Sequence, residues 1–343
     1  MVTKLCLVGA GSIGRRHLKL LLERDDVRLC VAEPSEKCKA AVKEICADLP
    51  VYDSMAEAVK AEGCEAVIIA TPHGMHARMA IEALQMGLHV FCEKPMSDSM
   101  EECVQMLRAA QASDKVFSVG FMFRFDPFVK KVKEIIESGV IGNIVHYSSR
   151  FATYNTLLCS VTKHQENTPF SVVMDCIHDS DLLYHFTGRI PDYAYSVAYK
   201  AGDMPLSSPQ NFIDTIYRWE DKSMGAHVHF NYVQHPQIHD LQIVGDKGYI
   251  LGDFMSADVT VGSREGTKET IVNTRSCINT DFNNVYRSEW NEFLRAVRGE
   301  RKAENPPEQA IVSTLLMYSQ IESAKAGHEV SIHEIAEKYG YQY

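Results

Sequence analysis

Two residues in the sequence have side chains suited to proton transfer, a lysine after a predicted strand and a histidine on a predicted helix. Lys94 lies in Glu93-Lys94-Pro95, directly after the apolar run 88–91. A lysine can remove the proton of an alcohol that loses hydride if burial or a nearby cation lowers the pKa of its amine. Pro95 biases Lys94 toward an extended backbone and so restricts it more than an ordinary loop lysine. The alternative is a surface lysine that follows a strand.

The second candidate is His178, within residues 172–186, whose spacing predicts a single helix. The helical period places four residues on one face, namely Asp175, His178, Asp179 and Leu182. Histidine suits acid–base exchange near neutral pH because its unperturbed pKa lies close to that range. We therefore predict that Lys94 and His178 handle the proton and that Asp175 orients one of them. The alternative is a structural histidine whose hydrogen bonds are satisfied.

A glycine-rich motif predicts a dinucleotide site. Gly9-Ala10-Gly11-Ser12-Ile13-Gly14 follows the apolar run 5–8 directly and opens a helical segment. Gly9 allows a tight turn, Gly11 lets the backbone approach a pyrophosphate, and Gly14 lets helix and strand pack closely. Ser12 and Ile13 belong to the same predicted contact, and the alternative is a turn that is merely rich in glycine.

Glu33 ends the second predicted strand, nineteen positions after Gly14. A carboxylate there accepts hydrogen bonds from ribose hydroxyls and repels a 2′-phosphate, so NAD(H) is predicted in preference to NADP(H). The alternative is a solvated glutamate, with Arg15, Arg16 and Lys37 supplying a phosphate site instead.

Polar residues after two later strands are predicted to reach the same cofactor. They follow the runs 66–70 and 88–91, at the carboxyl edge where parallel sheets bind ligands. The predicted contacts are Thr71, Pro72, His73, His76, Glu93 and Lys94.

These residues are positioned by alternating apolar runs and amphipathic stretches. The runs predict strands at 5–8, 29–31, 66–70, 88–91 and 116–119, each followed by helical sequence. This alternation predicts an α/β fold, with a doubly wound parallel Rossmann sheet in residues 1–122 that binds the cofactor.

The pattern after residue 122 predicts a second domain, residues 123–343, for substrate binding and oligomerisation. A helix is predicted at 126–138, before Gly139. Residues 226–232 alternate apolar and polar side chains, and residues 245–248 form a turn, which predicts a large, mostly antiparallel, open-faced sheet. Residues 284–327 return to helical spacing, broken at 305–307, and these helices are expected to pack back.

Composition excludes several classes of protein. The length of 343 residues suits two domains, and the formal charge of -10 argues against nucleic acid or an anionic membrane as partner. No apolar run approaches a membrane span, and the N-terminus is typical of a strand rather than a signal peptide. The cysteines contain no C-x-x-C pair, so reduced thiols in a cytoplasmic protein are expected. They are residues 6, 30, 38, 46, 64, 92, 103, 159, 176 and 277.

Four histidines near one predicted strand could bind a metal. His227 and His229 share a strand face, and His235 and His239 follow within ten residues. A tetrahedral site needs three or four of them to converge, and the turn implied by His235-Pro236 opposes this. We therefore predict no metal site and interpret these residues as the polar face of an open sheet.

The motifs together resemble those of the Gfo/Idh/MocA oxidoreductases. The shared order is the glycine motif, the acidic strand end, the Thr-Pro-x-x-x-His segment 71–76 and the Glu-Lys-Pro tripeptide, and the likeness continues at 120–124, 141–144, 175–188, 245–248 and 290–299. In that family the tripeptide's lysine lies beside the nicotinamide and the substrate hydroxyl, which the resemblance transfers to Lys94. His178 matches the family's second-domain histidine. The resemblance also implies that the open sheet face packs against another subunit, in a homodimer or homotetramer.

Two further residues are predicted to hold substrate oxygens. Arg124 matches an arginine that family members place near cofactor and substrate, and Tyr154 lies in the loop after the second domain's first strand. The alternatives are a salt bridge from Arg124 to Glu93 or Asp126, and plain packing for Tyr154.

The sequence departs from the commonest family pattern at its aspartate. That pattern has a catalytic aspartate four residues before the histidine, where this chain has Met174. Asp175 gives a shorter spacing, which shifts the carboxylate by about 100° around a helix. Asp181 matches an aspartate after the histidine and is interpreted as structural.

The predicted activity is NAD(H)-dependent oxidation or reduction of a secondary hydroxyl or ketone of a sugar, polyol, inositol or sugar derivative. Arg124, Tyr154 and His178 are the predicted substrate contacts in a polar pocket. Two alternatives are NAD-dependent glycoside cleavage by transient oxidation and elimination, and a dinucleotide-sensing protein without turnover. Net formation of NADH distinguishes a dehydrogenase from both.

Overall fold

The computed structural model describes residues 2–160, 163–266, 269–274 and 281–343. The chain folds as two compact units. The first consists of Met1–Met122 and Asn283–Thr314, and the second of Phe123–Phe282 and Leu315–Tyr343. The segment Asn283–Thr314 therefore belongs to the unit in which the chain begins.

The first unit contains a parallel sheet that has six strands among the described residues. Its order is β3-β2-β1-β4-β5-β6, as in a Rossmann fold, which confirms the predicted fold class. The strands are β1 (Thr3–Val8), β2 (Val27–Ala32), β3 (Val51–Tyr52), β4 (Ala66–Ile69), β5 (His89–Cys92) and β6 (Phe117–Val119). The two-residue β3 is too short to give a periodic signal and was not predicted.

The helices of this unit, numbered in chain order, include one from late in the sequence. They are α1 (Ser12–Leu22), α2 (Glu36–Ile45), α3 (Met55–Glu62), α4 (His76–Gln85), α5 (Met100–Gln111) and α10 (Asn283–Val297). The core cluster joins Leu5, Ile68 and Phe91 of the sheet to Trp290 and Phe293 of α10. The sheet strands are mainly apolar because both of their faces are covered.

The second unit contains a larger sheet, with nine strands among the described residues. Its order is β14-β13-β12-β11-β7-β10-β9-β8-β15, and every pair is antiparallel except β7 with β10, which confirms the predicted mostly antiparallel sheet. The strands are β7 (Ile144–Ala152), β8 (Tyr193–Tyr199), β9 (Phe212–Arg218), β10 (Gly225–Asn231), β11 (Ile238–Gly245), β12 (Gly248–Asp253), β13 (Asp258–Ser263), β14 (Glu269–Asn273) and β15 (Val330–Ser331).

The remaining helices are α6 (Pro127–Glu137), α7 (Asn155–Cys159), α8 (Ser171–Asp175), α9 (Ile177–Thr187), α11 (Pro307–Ala326) and α12 (Ile332–Lys338). The boundary between the units falls within α11. The predicted helix at 126–138 matches α6, whose first turn is capped by Asp126 through a 2.8 Å hydrogen bond from the Phe128 N–H.

The prediction of one helix at 172–186 is wrong. Cys176, with φ −88° and ψ 12°, separates α8 from α9. Phe170, just before α8, adopts a left-handed backbone with φ 57°. The face that was predicted to carry both Asp175 and His178 is therefore interrupted between them.

Within the described parts of the chain, no helix combines the length and the apolar character that crossing a membrane requires. All nine cysteines in those parts are free thiols, and Cys277 lies outside the described residues.

Candidate functional site

The glycine motif forms the turn between β1 and α1. Gly9 has φ +93°, and a side chain there would meet the Ala70 carbonyl oxygen at 2.8 Å. A side chain at Gly14 would collide with the carbonyl oxygen of Gly9, because helix and turn are in contact there. Gly11, the N-cap of α1, has open space around its Cα atom. Two of the glycines are thus required by packing, and the third leaves the helix N-terminus accessible.

A cleft of about 840 Å³ in the first unit opens in front of this turn. Seven of the predicted cofactor contacts line it, namely Gly9, Gly11, Ser12, Ile13, Glu33, Thr71 and Pro72. Apolar side chains such as Met55 and Met79 form another part of its wall. The cleft therefore combines an anion-binding helix end, a carboxylate and apolar surface, and this combination fits a dinucleotide.

Glu33 follows β2 and is 7% exposed. Its two carboxylate oxygens accept hydrogen bonds from the backbone N–H groups of Ala10 (2.7 Å) and Ser35 (2.8 Å). Because a carboxylate oxygen has more than one lone pair, each oxygen can still accept a hydrogen bond from the hydroxyl of a ligand in the cleft. These bonds hold a negative charge at the end of β2.

The cations that could have supplied a phosphate site occupy different places. Arg15 donates to the Ala10 carbonyl oxygen at 2.8 Å. Arg16 lines the cleft, and its guanidinium lies 5.3 Å from the centre of the Tyr286 ring. Lys37 is exposed and shares a separate surface depression with Arg15.

His76, the first residue of α4, is fully buried. Its Nδ1 lies 3.0 Å from the Pro95 carbonyl oxygen and its Nε2 lies 2.9 Å from that of Thr71. The ring of His73 meets the ring of His76 edge to face, with 5.7 Å between their centroids. His76 therefore bridges the loops that follow β4 and β5, and its predicted role as a direct cofactor contact stays a prediction.

Glu93, which follows β5, belongs to a buried hydrogen-bonded chain. His17 Nε2 lies 2.6 Å from Glu93 Oε1, and the Trp290 indole N–H donates to His17 Nδ1 at 3.1 Å. An indole N–H can only donate, so Nδ1 accepts and Nε2 carries the proton that binds Glu93. Burial by itself would raise the pKa of Glu93, but the hydrogen bond from His17 and the charge of Lys94 hold that pKa below its ordinary value.

Lys94 is half-buried, and its backbone N–H donates to Glu93 Oε2 at 3.1 Å. The Lys94–Pro95 peptide bond is cis. Residues 93 and 94 are not among those that line the 840 Å³ cleft, although Thr71 and Pro72 of the neighbouring loop are.

His178 lies near the start of α9 and is 4% exposed. Its ring packs against Phe123, with 4.6 Å between centroids. The next residue, Asp179, accepts a 3.0 Å hydrogen bond from His239 Nε2. The ring of His239 is stacked between Phe151 and Phe254. A buried histidine–aspartate pair thus lies next to His178, one of the two predicted proton-handling residues.

Asp175, at the end of α8, is a hydrogen-bond acceptor. The Tyr232 hydroxyl donates to its Oδ2 at 2.5 Å and the Gln165 amide at 2.9 Å. Burial and the Asp175 charge raise the pKa of Tyr232 well above its ordinary value, so this tyrosine is a donor. The predicted orientation of Lys94 or His178 by Asp175 stays a prediction.

Arg124 forms a buried bidentate salt bridge with Asp181, at 2.8 and 2.6 Å. The sequence suggested Glu93 and Asp126 as salt-bridge partners and did not identify Asp181. The structural role predicted for Asp181 agrees with this pair. The Tyr154 hydroxyl accepts a 3.2 Å hydrogen bond from the Leu206 N–H. Substrate contacts by Arg124 and Tyr154 stay predictions.

Two of the histidines considered for a metal bind an aspartate instead. His227 Nε2 and His229 Nδ1 lie 2.9 and 2.8 Å from Asp214 Oδ1. Burial would raise the pKa of Asp214, but these two hydrogen bonds lower it well below its ordinary value. The described residues contain no group of three or more metal-binding side chains.

Sequence reasoning missed several residues that organise these sites, notably His17, Trp290, His239 and Tyr232. Their partners are 76, 273, 60 and 57 positions away, respectively. The available signal for His17 was a polar residue on the buried face of α1.

Comparison with known proteins matches both parts of the chain to one family. Residues 3–121 match an oxidoreductase family with an NAD-binding Rossmann fold, Gfo/Idh/MocA, and residues 133–332 match its C-terminal alpha/beta domain. The Rossmann unit and the open-faced second sheet already define the class of two-domain, dinucleotide-binding oxidoreductases. Within that class, the chain belongs to the Gfo/Idh/MocA family, as its motifs predicted.

Individual relatives show different activities. A 2,7-anhydro-N-acetylneuraminate hydratase of Escherichia coli (strain K12) is 28% identical over 205 residues, which cover 59% of this chain and 54% of the relative. A scyllo-inositol 2-dehydrogenase (NAD+) of Bacillus subtilis (strain 168) is 26% identical over 311 residues, 85% of each chain. The chain spans about half the length of the hydratase and of several other curated relatives.

The fold is also that of solved structures. An oxidoreductase from Agrobacterium radiobacter, in complex with NAD+, L-tartaric acid and magnesium, has a TM-score of 0.86 at 17% identity. The match covers 98% of this chain and all of that one.

Proposed function

We propose that the protein is an NAD(H)-dependent dehydrogenase that acts on a secondary hydroxyl, or the corresponding ketone, of a polyol, inositol or sugar derivative. The observation that carries the proposal is the cleft in front of the glycine turn, with the Glu33 carboxylate in its wall and Lys94 after the neighbouring strand β5. The inositol dehydrogenase of Bacillus subtilis, similar over 85% of this chain, supports the substrate class.

Preference for NAD(H) over NADP(H) rests on Glu33. Its carboxylate lies in the cleft wall and is held by two backbone N–H groups, so a ribose 2′-phosphate placed beside it would meet a negative charge. Two cations, Arg16 and Arg78, also line this cleft, and the Arg16 guanidinium lies over the Tyr286 ring.

The chemical roles follow from the side chains. A bound nicotinamide accepts or supplies the hydride. We assign removal of the substrate hydroxyl proton to Lys94, because its amine is a basic group on the loop after β5, beside the loop of Thr71 and Pro72 that lines the cleft. His178 is the second proton-handling group, and Asp175 orients one of the two. Arg124 and Tyr154 are proposed to hold substrate oxygens.

A second candidate is a reaction without net oxidation, as in glycoside cleavage by transient oxidation and elimination. The similarity to a hydratase over 59% of this chain favours this candidate. Such a reaction uses the same cofactor and proton acceptor, but it ends with the cofactor in its starting redox state.

The test incubates the protein and NAD+ with a panel of inositols, sugars and glycosides, and follows both NADH absorbance and release of aglycone or water-addition product. NADH that accumulates with turnover supports a dehydrogenase, whereas product without NADH supports the second candidate. Cofactor binding with neither product would support a dinucleotide-sensing protein.

Lys94→Ala provides the residue-level test. Loss of the proton acceptor is expected to lower kcat by about 10²–10⁴-fold, while NAD+ affinity measured by calorimetry changes little. Lys37→Ala, an exposed lysine of the same unit, is the matched control and should keep full activity. Unchanged turnover in Lys94→Ala would remove Lys94 from the mechanism.

We also propose a homodimer or homotetramer assembled through the open face of the second sheet. The strand register places Tyr195 opposite Ile216, and Ile216 opposite His227, on one face. Tyr195, Val197, Tyr199 and Ile216 are all exposed there. An apolar patch of this kind is typical of a protein interface.

A further inference from the structure

We propose that two buried histidines, His17 and His76, position Lys94 from its two sides, His17 through Glu93 and His76 through the Pro95 carbonyl. This inference rests on the proposed function, because it assigns Lys94 the proton step. All four residues that flank Lys94 in this arrangement belong to the first unit.

The first side of the arrangement holds the amide of Lys94. Glu93 uses Oε2 to accept the Lys94 N–H at 3.1 Å and Oε1 to bind His17 at 2.6 Å. The Trp290 N–H occupies the other ring nitrogen of His17, so the proton of His17 points at Glu93 and not elsewhere. A substitution of His17 or Trp290 is therefore expected to affect the position of Lys94 through the Glu93 carboxylate.

The burial of the charged Glu93 carboxylate explains why it needs the hydrogen bond from His17. Glu93 is 8% exposed, and a buried carboxylate is stable only when its oxygens receive hydrogen bonds. Glu289 lies nearby and is also buried, but burial and the Glu93 charge raise its pKa well above the ordinary value. Neither carboxyl oxygen of Glu289 has a hydrogen-bond partner among the described residues, so Glu289 does not replace His17 as the group that directs Glu93.

The second side holds the carbonyl group that follows Lys94. His76 faces the Pro95 oxygen at 3.0 Å and the Thr71 oxygen at 2.9 Å. Carbonyl oxygens only accept, so a neutral ring donates to one of them at a time and a doubly protonated ring donates to both. His76 in this way ties the backbone on the far side of Lys94 to the loop that lines the cofactor cleft.

The two sides together confine the backbone of Lys94, the residue to which the proposed function assigns the proton step. His17 neither lines the cofactor cleft nor is a predicted cofactor contact, so its loss should leave NAD+ binding largely intact. A displacement of a reacting group by about 1 Å can cost about 10²-fold in rate. The expected signature is therefore a loss in kcat without a comparable loss in cofactor affinity.

The experiment compares full-length His17→Leu and His76→Leu with His17→Gln, which can still donate toward Glu93. The matched control is His89→Leu, a histidine at the opposite end of β5 whose Nδ1 accepts the Val116 N–H at 2.9 Å. Steady-state kinetics with NAD+ and the panel substrate turned over fastest give kcat and KM, and calorimetry gives the NAD+ affinity. Competitive acetylation with acetic anhydride, followed by mass spectrometry, gives the reactivity of the Lys94 amine without any substrate.

We expect both leucine variants to lower kcat about tenfold or more and to change the Lys94 acetylation rate about threefold or more, with NAD+ affinity in His17→Leu within about twofold of the wild type. His17→Gln should recover most of the activity, and His89→Leu should match the wild type. Wild-type acetylation rates in both leucine variants, or an equal effect in His89→Leu, would overturn the inference.

Two further measurements keep the outcome decisive. If a leucine variant does not fold, Trp290→Phe keeps an aromatic ring and removes the N–H that directs His17, and the same readouts apply. If the wild type turns over no substrate, the proposed function fails, while the acetylation rates still decide whether the histidines position Lys94.

Discussion

At the scale of single residues, Glu33 shows how a buried charge can be kept ready for a ligand. Two backbone N–H groups stabilise its carboxylate at the end of β2, so the charge does not depend on a bound cofactor. The same carboxylate lies in the wall of the cleft. Selectivity between the two nicotinamide dinucleotides should therefore be sensitive to this one side chain.

Glu33→Gln is expected to weaken NAD+ binding about tenfold, roughly 1.4 kcal/mol, because a neutral amide is a weaker acceptor for ribose hydroxyls. NADP+ affinity should rise or stay unchanged, since the repulsion of its phosphate is removed. Calorimetric titration with both dinucleotides measures the ratio. Glu36→Gln, an exposed acid in the first turn of α2, is the control. An unchanged ratio in Glu33→Gln would exclude the carboxylate as the selecting group.

The residues that sequence could identify are those whose function depends on near neighbours. The glycine turn and Glu33 lie within one strand–helix–strand unit, and their spacing alone predicted the cleft that they line. The salt bridge from Arg124 to Asp181 could not be predicted from spacing, because Asp181 is 57 positions away. Two acids nearer in sequence, Glu93 and Asp126, carry the same charge. His17 was missed for the same reason.

At the scale of elements, the turn between β1 and α1 makes two opposite demands on its glycines. Gly14 is in contact with the backbone of Gly9, whereas Gly11 has open space around it. Gly14 is therefore required for packing, whereas Gly11 leaves the N-terminus of α1 accessible to a ligand.

Gly14→Ala is expected to lower the free energy of unfolding by about 1–3 kcal/mol, because its methyl group would overlap the Gly9 carbonyl. Gly11→Ala should change stability by less than about 0.5 kcal/mol and yet weaken NAD+ binding at least about tenfold. Thermal unfolding and calorimetry together separate the two effects. Equal loss of stability in both variants would contradict this division of roles.

A second element-scale contact links the loop before β2 to the residue after α10. Asp26 accepts hydrogen bonds from Arg24 at 2.9 Å and from Arg298 at 2.7 Å. The hydrogen bond from Arg24, followed by that from Arg298, lowers the pKa of Asp26 to about 2. Because the folded pKa lies below the unfolded value near 3.9, the contact stabilises above about pH 4 and is lost as pH falls toward 2.

Asp26→Asn is accordingly expected to destabilise the protein at pH 7 by less than about 1 kcal/mol, since the side chain is partly exposed and screened. The difference from wild type should shrink as pH falls from 5 to 3. Thermal unfolding across this pH range, with Asp25→Asn as control, measures it. A difference that does not depend on pH would contradict the ionic origin.

The break between α8 and α9 shows what periodicity misses at this scale. Apolar residues continue at helical spacing from 172 to 186, so no local signal marks Cys176. The break is accompanied by the bond between Asp175 and Tyr232, which lies 57 positions later. A tertiary contact of this kind outweighs local propensity and cannot be seen in a short window.

At the scale of the whole molecule, the two sheets could be predicted from the sequence because each type of sheet has its own pattern of apolar residues. Continuous apolar runs indicated a parallel sheet covered on both faces, and the alternation at 226–232 indicated a half-covered sheet. The parallel pairing of β7 with β10 could not be predicted, because the strand order of the whole second unit determines which strands are neighbours.

The open face of the second sheet leads to a prediction about assembly. Ile216 is 57% exposed and shares an exposed apolar patch with Tyr195 of the paired strand β8. Ile216→Lys is expected to shift the oligomer toward smaller species, because a buried unpaired charge opposes association. Light scattering after size-exclusion chromatography measures this, with Leu158→Lys, an exposed site outside the sheet, as control. A wild-type monomer would contradict the proposed interface.

The position of α10 in the first unit affects how the chain is made. Trp290 and Phe293 belong to a core whose other members include residues of β1, β4 and β5. On the ribosome, the early strands and α1 emerge long before these aromatic residues, and the whole Phe123–Phe282 segment is synthesised in between. The nascent Rossmann sheet therefore carries an uncovered apolar face through most of translation, a condition in which chains are prone to aggregate and to need chaperones.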